Sequence, residues 1–425
     1  MRLMLSGGAG FQNSGDEALL LSATRICRLA FPRARLILST NNEALARRNL
    51  RGLRLDYIPS PRFAFFRNDD HYRVCDREFQ ERWNLLRGEF VGRSFESITT
   101  AIRSSLALDF IDRMQSLKFM EALKASDLLV IHGGGILTSP TRSRLWEQAL
   151  TIEIASSLGK KVMLRSHQVG PFDNAEDLER MRTILLSARF FSTRDLDESS
   201  RWTRALVPGL PVYEAVDDAL RITTKDGAHE EVLRRNGLVS RHYIAVSYRH
   251  GPHVGMLESA GNSVSRVIAL AQTLFDQPVL LLPSMPADVG ALKNVARSLT
   301  GDIRLSKLAN FLWDPIYLAM NARVVISAPH HPLIFALKNS VPIVSPVMGP
   351  YYLSKNIGSM RFFGLENQVI DLSEDLKTVM NHAEKSLVHV KESGDTLLAT
   401  LARQRDILIQ QSEAHDAIFR RAGLL

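Results

Sequence analysis

The stretch "RLMLSGGAGFQNSGDEALL", residues 2–20, joins a short apolar run, a loop with four glycines and the first turns of an amphipathic segment. The apolar run bounded by glycine predicts a buried strand over residues 2–6. The spacing beyond it predicts a helix over 16–31. The same unit returns at "DLLVIHGGGILTSP", residues 127–140, where a strand over 127–132 meets three glycines. Further strands are predicted at 35–39, 53–57, 161–165 and 190–193, with helices of suitable length between most of them. Short apolar runs alternating with helices mean parallel strands joined by helical crossovers.

The rhythm breaks over residues 61–126, a basic and aromatic region whose second part predicts one or two long helices. It reads as a packed helical insertion, or as a lid or an acceptor-binding insertion. The polar stretch "RITTKDGAHEE" at 221–231 marks a linker, after which strands are predicted at 243–248, 278–282, 324–327 and 342–345. The tail, 373–421, predicts helix with a break near Gly394. The fold class is therefore α/β, with two Rossmann-like doubly wound domains, 1–224 and 225–425, and a helical insertion in the first. In such sheets ligands bind beyond the carboxyl ends of the strands.

At 425 residues, 45% hydrophobic and 23% charged, each half can bury its own core. The two cysteines, Cys27 and Cys75, form no CxxC pair, so neither a disulfide framework nor a zinc site is expected. No metal site is expected. The amino-terminal apolar run is too short for a signal-peptide core, and no stretch reaches membrane-spanning length without charge. A cytoplasmic protein is expected. The net charge of +8 suits phosphates, carboxylates or peripheral contact with an acidic membrane surface, and suits an ordinary solvated basic surface equally. No recognition-helix, zinc-finger or RNP-type signature points to nucleic acid.

Chemistry is expected where loops leave strands. The glycines at 7, 8, 10 and 15 allow close backbone approach to a ligand, and the helix start beyond them favours an anion. A tight turn with Ser14 or Asp16 as helix cap explains the same residues. Gly133, Gly134 and Gly135 read as a second approach surface or as a steric need of the turn. Arg194 in "FSTRDLDESS" has a guanidinium fork suited to carboxylate or phosphate, or pairs locally with Asp195 or Asp197. Arg249 and His250 follow a strand of the second domain. In "VVISAPHHPLIFALKNSVPIV", residues 324–344, a helix is predicted from about Pro332, with His330 and His331 at its leading edge. An imidazole titrating near neutrality suits general acid work. Lys355 in "YYLSKNIG" adds a cation.

In this order and spacing, the segments resemble the polysaccharide pyruvyl transferase family. The resemblance rests on the glycine loop running into G-D-E-A, on D-x-x-V-I-x-G-G-G at 127–135, and on "VGP" at 169–171. It rests also on Arg194-Asp195, "VDDAL" at 216–220, the histidine helix at 331–342 and Lys355. It spans about residues 3–372. It implies a GT-B-like two-domain architecture and transfer of pyruvate from phosphoenolpyruvate to a sugar diol as a ketal, with no cofactor. It implies His331 as general acid and Arg194 as a donor-binding cation. Arg249 is assigned beside them on charge and position. Gly7, Gly8, Asn13, Gly15, Asp16, Gly133, Gly134, Gly135, Asp217, His330 and Lys355 are implied to bind substrate. The implied partners are phosphoenolpyruvate and a glycan or lipid-linked sugar.

Three departures stand out. Pro329 occupies the place of the family's arginine before the histidine helix. Glu198 stands where the R-D-x-x-S serine belongs, with Ser199 next. The glutamine–glycine turn reads Ser166-His167-Gln168. Two other readings therefore stay open: a GT-B glycosyltransferase using a nucleotide sugar, and a non-catalytic glycan-binding relative.

Overall fold

The computed structural model of the chain describes residues 1–8, 10–60, 76–251 and 260–425. The first half runs β1 (Arg2–Ser6), α1 (Ser14–Ala30), β2 (Arg35–Thr40), α2 (Glu43–Asn49) and β3 (Asp56–Pro59). Three helices follow, α3 (Asp76–Phe90), α4 (Phe95–Ser104) and α5 (Arg113–Ala125). Then come β4 (Leu128–Leu137), α6 (Arg142–Ser157), β5 (Lys161–Val169), α7 (Ala175–Ser187), β6 (Ala188–Thr193), α8 (Glu198–Leu206) and β7 (Tyr213–Glu214).

The second half begins α9 (Ala228–Asn236), β8 (Ile244–Ser247), α10 (Ala260–Phe275), β9 (Val279–Leu281), α11 (Asp288–Ala296) and β10 (Ile303–Leu305). It continues α12 (Trp313–Met320), β11 (Val324–Ser327), α13 (His330–Lys338), β12 (Ile343–Val347), α14 (Pro350–Arg361), β13 (Val369–Asp371) and α15 (Leu376–Leu424).

Among the described residues the strands form two parallel sheets, β3-β2-β1-β4-β5-β6-β7 and β10-β9-β8-β11-β12-β13. Central strands such as Leu3–Leu5 and Leu128–Ile131 are apolar throughout and fully buried. That is what a parallel sheet covered by helices on both faces demands. Strand order reverses between β1 and β4 in one sheet and between β8 and β11 in the other. Ligand crevices open at such switch points. The first glycine run follows β1, Arg249 follows β8 and the histidine pair follows β11, while the second glycine run lies in the last part of β4.

Two expected strands are longer than the sequence suggests. β4 continues through the three glycines, and β5 through Ser166–Val169. The cause is steric, because a Cβ on Gly133 would lie 1.9 Å from the Ser166 carbonyl oxygen. Glycine there lets two strands run side by side. The helix expected from residue 16 starts at Ser14, and the Asn13 side chain caps it by accepting from the Gly15 amide at 3.1 Å.

The insertion between β3 and β4 is helical and holds Trp83, Phe90 and Phe119 in a cluster with Trp146. Its expected beginning, residues 61–75 with Cys75, lies outside the described residues. The tail is helix with non-helical backbone at Gly394. Beyond Gly394 it returns to the first sheet, where Phe419 packs on Phe31 and Phe190. The two sheets meet through specific contacts. The Ser14 amide donates to the Ser284 carbonyl at 2.9 Å, and the Leu196 amide to the Gly358 carbonyl at 3.0 Å. Among the described residues no helix is long and apolar enough to cross a membrane.

A candidate active site where two helix starts converge

β6 ends at Thr193 and delivers Arg194 to the carboxyl end of the first sheet. Asp217 stands after β7 at the start of a short turn, its Oδ1 accepting from the Ala219 amide at 2.8 Å. From the second domain, α13 begins at His330 with Pro329 as its N-cap, and α14 carries Lys355. These residues meet. Arg194 Nη1 donates to Asp217 Oδ2 at 2.9 Å and lies 3.4 Å from His331 Nε2. His331 Nε2 is 3.7 Å from Asp217 Oδ2, and His330 Nε2 is 3.4 Å from the same oxygen. Lys355 Nζ donates to the Tyr351 hydroxyl at 3.3 Å, which in turn donates to the Gly135 carbonyl at 3.1 Å.

The cluster sets one arginine, one lysine and two imidazoles around a single aspartate. Arg194 is 1% exposed, and its Nε and Nη2 have no hydrogen-bond partner among the described residues. Burial would raise the Asp217 carboxyl, but the His330 ring and the Arg194 guanidinium outweigh it and hold it well below the usual range. Burial, then the Arg194 charge, pushes His330 down to about 4. Burial also holds His331 well below its ordinary value, with Arg194, His330 and Lys355 adding to the effect and Asp217 opposing it. Lys355 is held down by burial and by Arg194. The starts of α1 and α13 both lie here, and helix N-termini also disfavour a cation on the ring. An anion placed in this cluster opposes the effect of the cations and favours the protonated imidazoles and lysine.

The glycines shape the walls. A Cβ on Gly15 would lie 1.8 Å from His331 Nδ1, so the imidazole rests flat on the first turn of α1. A Cβ on Gly135 would fall 2.5 Å from the Tyr351 hydroxyl and 3.2 Å from Arg194 Nη2. Beside the cluster opens an inter-domain cavity of about 930 Å³. Asn13 and Asp16 line it from the first domain, and Tyr248, Arg249 and Asn262 from the second. Arg249 is gripped in fork geometry by Asp288, Nε to Oδ1 at 2.6 Å and Nη2 to Oδ2 at 3.0 Å.

The expected residues thus separate into three groups. His331, Arg194, Asp217, Lys355, Gly15 and Gly135 form the cluster. Asn13, Asp16 and Arg249 stand on the cavity wall, with Gly8 beneath Asp16, its nearest side-chain atom. His330 and Gly133 stand behind the walls. The His330 side chain is fully buried, with Nδ1 at 3.2 Å from Asn356 Oδ1, so it supports Asp217 and is not a cleft residue as expected. Gly133 serves strand packing, and Gly134 is buried in β4. Gly7 makes room for the His132 ring, which would lie 2.4 Å from its Cβ. Arg194 pairs with Asp217, not with Asp195 or Asp197. The displaced serine still reaches its aspartate: Ser199 Oγ donates to Asp195 and accepts from the Val169 amide at 2.8 Å. Tyr351, Asn356 and Asp288 were not expected. The Tyr351–Lys355 spacing of one helical turn was the available signal for the first. Among the described residues no group of three or more His, Cys, Asp or Glu is arranged to hold a metal ion.

Two parallel α/β domains with the candidate site at their junction give the chain a GT-B-like architecture. Similar solved structures share that architecture. A UDP-glucosyltransferase from Polygonum tinctorium is 12% identical with a TM-score of 0.56, covering 100% of this chain and 98% of the other. Os79 from O. sativa in complex with UDP is 13% identical with a TM-score of 0.58, covering all of both chains. The UDP-GlcNAc 2-epimerase from Neisseria meningitidis, bound to UDP-GlcNAc, is 10% identical with a TM-score of 0.52, covering 97% and 100%. The chain belongs to the polysaccharide pyruvyl transferase family, whose model matches residues 13–345. No curated protein matches it significantly in sequence.

Proposed function

We propose that the chain transfers pyruvate from phosphoenolpyruvate to a sugar diol of a cell-surface glycan or its precursor, forming a ketal. The observation that carries this reading is the contact of Arg194 Nη1 with His331 Nε2 at 3.4 Å, inside a buried cluster where Arg194 Nε and Nη2 have no hydrogen-bond partner among the described residues. Arg194 and Lys355 hold the donor's carboxylate and phosphate. The entering anion raises the His331 affinity for a proton, and Asp217 stabilises the imidazolium. His331 then gives its proton to the enol methylene, which becomes a methyl group. C2 turns electrophilic, one acceptor hydroxyl adds to it, and the second displaces the phosphate. One hydroxyl proton replaces the one His331 gave, and the other leaves with inorganic phosphate.

Pro329 fits this scheme as the cap of α13. The cation the family places there is absent, and Arg249 stands nearby on the cavity wall, tied to Asp288. The reading carries with it a cytoplasmic location, at the inner face of the membrane if the acceptor is lipid-linked. The test is phosphate release from phosphoenolpyruvate with a panel of nucleotide-linked and lipid-linked sugars. Release is expected, falling ~10²–10⁴-fold in His331→Ala, the range of one general acid. Transfer from a nucleotide sugar, without phosphoenolpyruvate binding, moves the reading to a glycosyltransferase. Glycan binding without turnover of either donor makes the chain a binding protein.

A further inference from the structure

The cavity beside the cluster is far larger than an enol phosphate needs. Its inner end lies at the domain junction, where Ser14 bonds Ser284 and where Arg249 meets Asp288 at the start of α11. From there α11 runs outward along the cavity, presenting Ala291, Asn294 and Val295. At 1.5 Å per residue, its nine residues extend the wall by roughly 13 Å. Aromatic faces from Phe11 and Tyr248 and amides from Asn13, Asn262 and Asn294 line the space. The rings and amides suit a sugar, and Arg144, Arg249 and Arg297 in the same lining suit an anionic group attached to it.

Two carboxylates reach the cavity, and they differ. Asp288 is saturated: it accepts both arms of Arg249 and the amides of Ser284 and Met285. Asp16 makes no hydrogen bond or ion pair among the described residues. It follows Gly15, on which the His331 ring lies, and it is influenced electrostatically by Lys355, Arg194 and Arg249. Asp16 is thus the expected carboxylate that belongs both to the cavity and to the neighbourhood of the cations. Burial raises its carboxyl above the ordinary value, which strengthens it as a base.

Resting on the pyruvyl transfer reading, we propose that this cavity is the acceptor subsite and that Asp16 is the base that takes the proton from the first attacking sugar hydroxyl. The hydroxyl oxygen forms its bond to C2 as its proton passes to the Asp16 carboxylate. His331 has meanwhile delivered its own proton to the methylene carbon. Asp16 then returns its proton to solvent, and His331 is recharged from solvent, so protons balance over the cycle. Acid and base come from different domains, His331 from the second and Asp16 from the first.

The test uses the full chain with phosphoenolpyruvate and two diol probes, UDP-galactose and p-nitrophenyl β-galactoside. Asp16→Asn is expected to lower kcat by ~10²-fold or more while phosphoenolpyruvate affinity holds, and to remove the acidic limb of the kcat–pH profile. Ala291→Trp, which fills the cavity away from the cluster, is expected to raise the acceptor KM by ~10-fold or more, with phosphoenolpyruvate binding unchanged. If the wild type turns over and both variants keep wild-type kcat and acceptor KM, the subsite assignment is wrong while the transferase reading stands. If the wild type neither binds nor consumes phosphoenolpyruvate, the transferase reading fails first and takes the assignment with it.

Discussion

Arg165 on β5 and Arg194 just after β6 pair with consecutive aspartates, Asp218 and Asp217, and both arginines are buried. Their surroundings differ in how fully the guanidinium is partnered. Arg165 donates Nε and Nη2 to Asp218 at 2.7 and 3.0 Å, and Nη2 lies 2.8 Å from Asp416 on the tail helix. Arg221 shares both acids, so two arginines meet two aspartates. Arg194 has one aspartate and is surrounded by His331, His330 and Lys355. A balanced buried network holds a fold together. A buried arginine with two nitrogens left without a hydrogen-bond partner among the described residues is completed by an anion from outside. The comparison separates a structural arginine from a functional one where residue type and burial alone do not.

Substitution is the direct way to break this comparison. Arg165→Met strands Asp218 and Asp416 with a single arginine and should cost about 3–5 kcal/mol of stability, read by denaturant unfolding. Donor affinity in the folded fraction should not change. Arg194→Met should do the reverse. Donor kcat/KM should fall ~10²–10³-fold, the loss expected for one charge-stabilising donor. Stability should fall less than in Arg165→Met, because His330 and His331 can take up a proton beside Asp217. Equal stability losses in the two variants would erase the distinction.

The histidines sharpen it further. His132 is fully buried, and burial pushes it down to about 4. A depressed imidazole stays neutral in the fold while the unfolded chain protonates below about 6.5. The unfolded state therefore binds more protons between those values, and stability is lost as pH falls through that window. At pH 5 this group alone should cost about 2 kcal/mol relative to pH 7. His132→Asn should shrink the pH 7 to pH 5 stability difference by that amount in urea titrations. An unchanged difference would mean that His132 is not held neutral.

Much of this was readable in the chain because the central strands are continuous apolar runs ended by glycine. Parallel order, the two domains and the helical insertion follow from those runs. The short strands β7, β10 and β13 were not readable: Tyr213–Glu214 and Ile303–Leu305 sit at sheet edges without a fully buried run. Glycines hid the extensions of β4 and β5, because glycine after an apolar run signals a turn unless the neighbouring backbone is known. α13 starts two residues before Pro332, since proline is tolerated in the first turn, where its missing amide is unpaired anyway. The partner of Arg194 is 23 residues away, and those of Arg165 are 53 and 251 away. Local spacing pointed to Asp195 and Asp197, and only the topology brings Asp217 into place.

The central claim is that Arg194, Lys355 and His331 form an incomplete cluster that an enol phosphate anion completes. Calorimetric titration of phosphoenolpyruvate at pH 7, repeated in buffers of different ionisation enthalpy, tests it most directly. The account predicts binding with net proton uptake, lost in His331→Ala and weakened in Arg194→Met. Binding with no proton uptake, or uptake that survives without His331, would contradict it.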